Sequence, residues 1–202
     1  GGAAPPDVLD YDAAWDGASA VYVAMVVADP AGGVGLRFTR SDDMGATWTA
    51  PTTVVDDASP AHGVLGVRIA TGPSGTAAGA IRGNAGRDAF VSATADPGAT
   101  WTAAVRIDAA VPGGDAPVTA VDVAIDGASR IHAVFTQNRG AGDRVFSSRS
   151  TNGGASFSPE FEVPLASAGT SANPDLAVAQ DGNLLLALWD RSDAARIYAL
   201  RS

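Results

Sequence analysis

The chain has 202 residues, a formal net charge of −9, 46% hydrophobic residues and 17% charged ones. That is one domain's worth of chain with enough apolar material for a sizeable core, and too much for a disordered tail. With no cysteine and only two histidines, thiol catalysis, disulfides, Cys-ligated zinc and histidine-rich metal sites are excluded. All 13 basic residues are arginine and none cluster, which argues against nucleic acid, and no apolar run is long enough for a transmembrane helix.

The chain opens Gly-Gly-Ala-Ala-Pro-Pro, without Met or a visible signal peptide, so the start reads as processed or cut. Strands are then predicted over 8–15 and 21–27, on either side of Asp16-Gly17, a dipeptide that marks a hairpin between apolar runs. Further strands follow at 35–40 and 48–55. A second unit gives 65–71, 76–82, 88–93 and 101–107, with Ser74-Gly75 at its first turn. A third gives 121–125, 130–135, 143–148 and 157–163 around Asp126-Gly127. A fourth gives 175–179, 184–189 and 196–200 around Asp181-Gly182. No segment carries a capped 3.6-residue period, so the chain is all-β. The units, about 7–57, 58–110, 111–165 and 166–202, form a single domain. Four-stranded antiparallel units repeated about every 50 residues are the signature of a β-propeller. About four blades are visible and the last is incomplete, standing alone or as part of a larger propeller.

An eight-residue pattern, Ser/Thr-x-Asp/Asn-x-Gly-x-x-Trp/Phe, runs in phase with these units. It occurs at Ser41, Asp43, Gly45 and Trp48, at Thr94, Asp96, Gly98 and Trp101, and at Ser150, Asn152, Gly154 and Phe157. The run Ile197 to Arg201 matches Val145 to Arg149, so Ser202 stands where a fourth copy starts. Physically, the Asp or Asn oxygen can close a turn by accepting backbone N–H groups about two residues on. The Gly supplies a left-handed position. The aromatic residue starts the fourth strand and covers the blade edge, worth about 2–3 kcal/mol by area. These twelve residues read as structural, and Arg40, Arg149 and Arg201 just before the motif read as part of the blade.

The motif resembles the Asp-box, or bacterial neuraminidase repeat, of the sialidase-like propellers. The resemblance covers nearly the whole chain, and the third copy departs from it with Asn152 and Phe157. It implies a propeller fold in a secreted, periplasmic or cell-surface protein of bacterial origin, with the box away from the catalytic pocket. A hydrolase of that family uses three arginines on the substrate carboxylate, a Tyr nucleophile with a Glu partner, and an Asp acid/base. The nearest match to its early arginine motif is Val67-Arg68-Ile69-Ala70, without the flanking landmarks. Tyr11, Tyr22 and Tyr198 have no evident Glu partner, since the only glutamates are Glu160 and Glu162. No catalytic residue is carried over. The expectation is a non-catalytic extracytoplasmic propeller serving as a binding module or as a subunit of a larger assembly, with no metal and no cofactor. The alternative is a fragment of a sialidase-like exo-glycoside hydrolase, an enzyme only if the missing blades supply the rest of its site.

Binding is expected at the end of the blades opposite the hairpin turns and boxes, where loops vary freely. The loops there, 28–35, 82–88, 136–143 and 190–196, carry or adjoin Arg82, Arg87, Arg139, Arg144, Arg191 and Arg196. Such forks suit an acidic glycan or another anionic ligand, or they pair with Asp88, Asp143, Asp190 and Asp193. A protein partner is expected over the open edge of the last blade. His62 and His132 read as lone residues, and Trp15 and Trp189 as core. Asp10, Asp12 and Asp16 do not match calcium-loop spacing.

Overall fold

A computed structural model describes residues 7–28, 33–56, 58–109, 116–140, 142–164, 171–179, 183–190 and 196–201. The described chain is almost wholly β, in four antiparallel sheets. Blade 1 is β1 (Val8–Trp15), β2 (Val21–Ala28), β3 (Val34–Ser41) and β4 (Thr52–Val55). Blade 2 is β5 (Gly66–Thr71), β6 (Ala77–Gly83), β7 (Asp88–Thr94) and β8 (Val105–Arg106). Blade 3 is β9 (Val118–Ile125), β10 (Ile131–Asn138), β11 (Asp143–Ser150) and β12 (Phe161–Glu162). Blade 4 is β13 (Ser171–Val178), β14 (Leu184–Asp190) and β15 (Arg196–Arg201). Each sheet runs in chain order, and the first strands β1, β5, β9 and β13 contact one another in sequence. No helix among the described residues is long and apolar enough to cross a membrane.

The first three strands of each blade fall close to the predicted positions; the fourth does not. Strands β4, β8 and β12 begin four residues after Trp48, Trp101 and Phe157, which lie in the link before them. The link is held by a repeated pair: Thr49 N–H donates to Arg40 O while Thr49 Oγ1 accepts Arg40 N–H. Thr102 repeats this with Ala93, and Ser158 with Arg149. The hydroxyl takes a donor that regular pairing would use, so the strand restarts later.

Packing follows the two-residue period. Successive blades meet face to face, the trailing face of one against the leading face of the next. The trailing face of blade 1 (Tyr22, Ala24, Val26, Leu36, Phe38) meets the leading face of blade 2 (Val67, Ile69, Ile81, Phe90). The trailing face of blade 2 is nearly all small (Ala78, Ala80, Ala89, Val91, Ala93) and meets Val121, Val123, Phe135 and Phe146 of blade 3. Ala124, Val134 and Val145 then meet Leu176, Leu186 and Leu188 of blade 4. A strand buried on both faces, such as β6 (AAGAIRG), therefore loses the alternation that marks β1. Among the described residues no blade packs on the leading face of blade 1, and Tyr11 and Trp15 stand 68% and 56% exposed. This corrects the expectation that Trp15 is core. The Trp189 side chain lies outside the described residues.

Candidate functional site

The first strands line the axis of the fold. The residues paired as Asp12↔Ala24, Arg68↔Ala80, Asp122↔Val134 and Asp175↔Ala187 hold one register position in all four blades. This position puts three carboxyls and one guanidinium on trailing faces beside the axis. The carboxyls clasp neighbouring blades: Ile69 N–H donates to Asp12 Oδ2 (2.9 Å), and Leu176 N–H donates to Asp122 Oδ2. One turn higher on the axis, Val67 N–H donates to Asp10 Oδ2 (3.1 Å). Burial pushes the Asp122 carboxyl up to about 6; the N–H groups of Leu176 and Val123 hold it down, and Asp175 and Asp12 push it further up.

At the end of the axis farthest from the hairpin turns is a cavity of about 150 Å³ lined by Asp10, Gly66, Arg68, Arg82, Thr119 and Asn173, among others. Arg68 is half-exposed and stands 3.7 Å from Asp10 Oδ2, with Nη1 also donating to Val67 O. Arg82 reaches in from the end of β6 and donates to Thr119 O (2.8 Å) and Leu65 O (3.2 Å), while its buried Nε has no hydrogen-bond partner. The mouth thus offers two guanidinium groups beside a carboxylate, a set able to hold a carboxylate or vicinal hydroxyls. A further cavity of about 420 Å³ continues along the strands past Thr71, Asp122 and Asp175.

At the opposite end lie the box turns. Ser41 Oγ donates to Asp43 Oδ1 and accepts Gly45 N–H, while Asp43 accepts both the N–H and the hydroxyl of Thr47. Thr94, Asp96, Gly98 and Thr100 repeat this set. In the third turn Asn152 Oδ1 accepts from Ser150 and Ser156 N–H, and its Nδ2 donates to Ser156 Oγ. Hydrogen bonds from Thr47 and Thr100 hold Asp43 and Asp96 down at about 2. The N–H groups accepted by Asp43, Asp96 and Asn152 lie four residues on, not two, and the first-position hydroxyl spans the same four residues to the glycine. The hydroxyl at the seventh position, Thr47, Thr100 and Ser156, was legible in the sequence as a shared residue type.

No family model and no curated protein sequence matches the chain. Solved structures do. An α-L-arabinanase from Penicillium chrysogenum, complexed with arabinobiose, superposes with a TM-score of 0.69 at 16% identity, over 96% of this chain and 62% of its own. A Hadza microbial sialidase gives 0.62 at 18%, over 96% and 43%. A Trypanosoma rangeli sialidase gives 0.57 at 16%, over 90% and 29%. The chain has a sialidase-like propeller fold. It spans less than two thirds of each of these relatives.

The described arginines among those singled out from sequence have different surroundings. Arg82 is at the axial mouth. Arg139 grips Glu160 with both Nη atoms, donates Nε to Gln137 Oε1 and lies 3.8 Å over the Phe146 ring. Arg144 stands 3.8 Å from Glu162, and Arg87 is exposed beside β7. Arg191 lies outside the described residues, as does the Arg196 side chain. The partners of Arg139 and Arg144 are therefore the two glutamates beside the fourth strand, which sequence spacing did not suggest. Asp88 pairs instead with Arg106 (2.7 Å), which also holds Asp108. Burial raises Glu160, but Arg139 and the Ala109 N–H bring it below its ordinary value. Tyr22 is buried in the blade 1 core, and burial raises its hydroxyl.

One expectation is corrected. His132 is not alone, since its Nε2 is 2.9 Å from Asp126 Oδ2, which also takes Arg130 Nε. Burial alone would raise Asp126, yet these bonds and the N–H groups of Arg130 and Ala128 pull it well below the carboxylate range. The pairing needs the β10 strand to turn His132 back onto the hairpin, which periodicity alone does not reveal. His62 is exposed, with Nδ1 2.9 Å from Ser59 O. Asp16 closes the first hairpin by accepting the N–H groups of Ala18 and Ala20. Arg68, which stood out only through its faint motif match, is brought to the axial mouth by the fold.

Proposed function

We propose that the chain forms blades of a sugar-hydrolysing, extracytoplasmic propeller, and that Arg68, Arg82 and Asp10 at the axial mouth contact a carboxylated or polyhydroxylated sugar. One observation carries this reading. The two guanidinium groups and the carboxylate converge on the axis at the end away from the box turns, and the relatives in fold act on sialosides and arabinan. The arginine at the axial register position, where blades 1, 3 and 4 have Asp, is what an anionic ligand group needs there. The residues commit to ligand contact, not to a nucleophile.

The non-catalytic module is the second reading, and the use of Glu160 and Tyr22 favours it. Glu160 is held by Arg139 and Tyr22 is buried, so neither forms a Tyr–Glu nucleophilic pair. The test is titration with N-acetylneuraminic acid and with arabinobiose followed by NMR, alongside turnover of fluorogenic sialosides and arabinofuranosides. Binding that falls at least about tenfold, or roughly 1.4 kcal/mol, in Arg68→Ala is expected. Binding without turnover selects the module. Absence of binding to either sugar refutes the assignment of the mouth.

A further inference from the structure

The trailing faces of blades 1 and 2 each hold a seat for the next blade's box turn. On blade 1 the seat is Tyr22, Phe38 and Arg40. The second turn fills it: the Trp101 ring packs on Phe38 at 4.9 Å, Gly98 sits against the Phe38 ring, and Arg40 Nη1 donates to Pro97 O (3.4 Å). On blade 2 the same register positions are Ala78, Val91 and Ala93. The third turn fills that seat, with Gly154 so close that a Cβ would stand 2.8 Å from Ala93 Cβ, and with Phe157 packed on the shared core.

On blade 3 these positions are His132, Ser147 and Arg149. Together with Ser158 they line a cavity of about 780 Å³ between blades 3 and 4. Strand β15 leads to it in the matching register, since Arg201 pairs with Leu185 as Arg40 pairs with Tyr22 and Arg149 with His132.

We propose that this cavity is the seat of a fourth turn, of Ser/Thr-x-Asp/Asn-x-Gly-x-x-Trp chemistry, entering from the end of β15. Arg149 is exposed where Arg40 donates to the carbonyl at the fourth position of the turn. Ser147 is smaller than Phe38 at the same position, which leaves room for a Trp ring. The fifth position must be glycine, because both filled seats close on that residue. This surface lies at the opposite end of the blades from the sugar-binding mouth and is independent of it.

The test appends a copy of residues 42–49 after Ser202 of the full chain, beside two control extensions, one with its Gly replaced by Val and one with its Trp replaced by Ala. The intact copy is expected to raise Tm on the order of 5 °C and to slow amide exchange across residues 145–149. Each control should lose most of that gain. An unchanged Tm with the intact copy, or an equal rise with all three, overturns the proposal.

Discussion

Asp122→Asn isolates the buried axial carboxyl. In the folded chain Asp122 holds its proton up to about 6, against an ordinary value of 3.8, chiefly because burial disfavours the charge. Between these values the folded state binds more protons than the unfolded state, so stability falls as pH rises through the window. Above it the charged carboxylate costs about 3 kcal/mol, from 1.36 kcal/mol per pH decade over about two decades. Asparagine keeps an acceptor for the Leu176 N–H and carries no charge. The variant should match the parent near pH 3.5, gain between pH 4 and 6, and stay ahead by up to about 3 kcal/mol at pH 7. Urea unfolding at pH 3.5, 5 and 7 measures the difference. Asp43 and Asp96 act in the opposite sense, losing their contribution as pH falls from 3.8 toward about 2, but they are common to both proteins and cancel. A difference that is flat with pH, or that grows toward acid, would refute the reasoning.

Two paired substitutions test the inter-blade seats. Gly98 and Gly45 share a box position and a left-handed backbone, but a Cβ on Gly98 collides with Phe38 whereas one on Gly45 meets nothing nearer than 3.7 Å. Gly98→Ala should cost about 3 kcal/mol or more and Gly45→Ala about 1; equal losses in denaturant titrations would dismiss the packing contribution. Trp101 packs between blades while Trp48 is 47% exposed. Trp101→Ala should therefore cost about 3 kcal/mol and Trp48→Ala about 1 or less, and calorimetry reversing that order would count against the seats.

The blade plan was legible because its signals are short. The hairpin Asp16 bonds residues two and four places on, and each box closes within eight residues, so local chemistry writes the turns directly into the sequence. The fourth strands were misplaced because a hydroxyl at Thr49, Thr102 or Ser158 displaces regular pairing, which hydrophobic alternation does not register. The axial mouth was hidden for another reason. Arg68 resembled nothing strong in sequence, and Arg82 was grouped with arginines that the structure ties to Glu160 and Glu162.

The sequence by itself therefore determined the repeat, the turns and the all-β class, since each rests on contacts between near neighbours in the chain. The tertiary structure alone decided which faces are covered and which polar groups meet. Asp12 reaches Ile69 across 57 residues and Asp122 reaches Leu176 across 54, and Trp15 is exposed where none of the described blades packs on its face. Such contacts depend on how one blade is set against the next, and neighbouring blades meet about one full repeat apart in the chain.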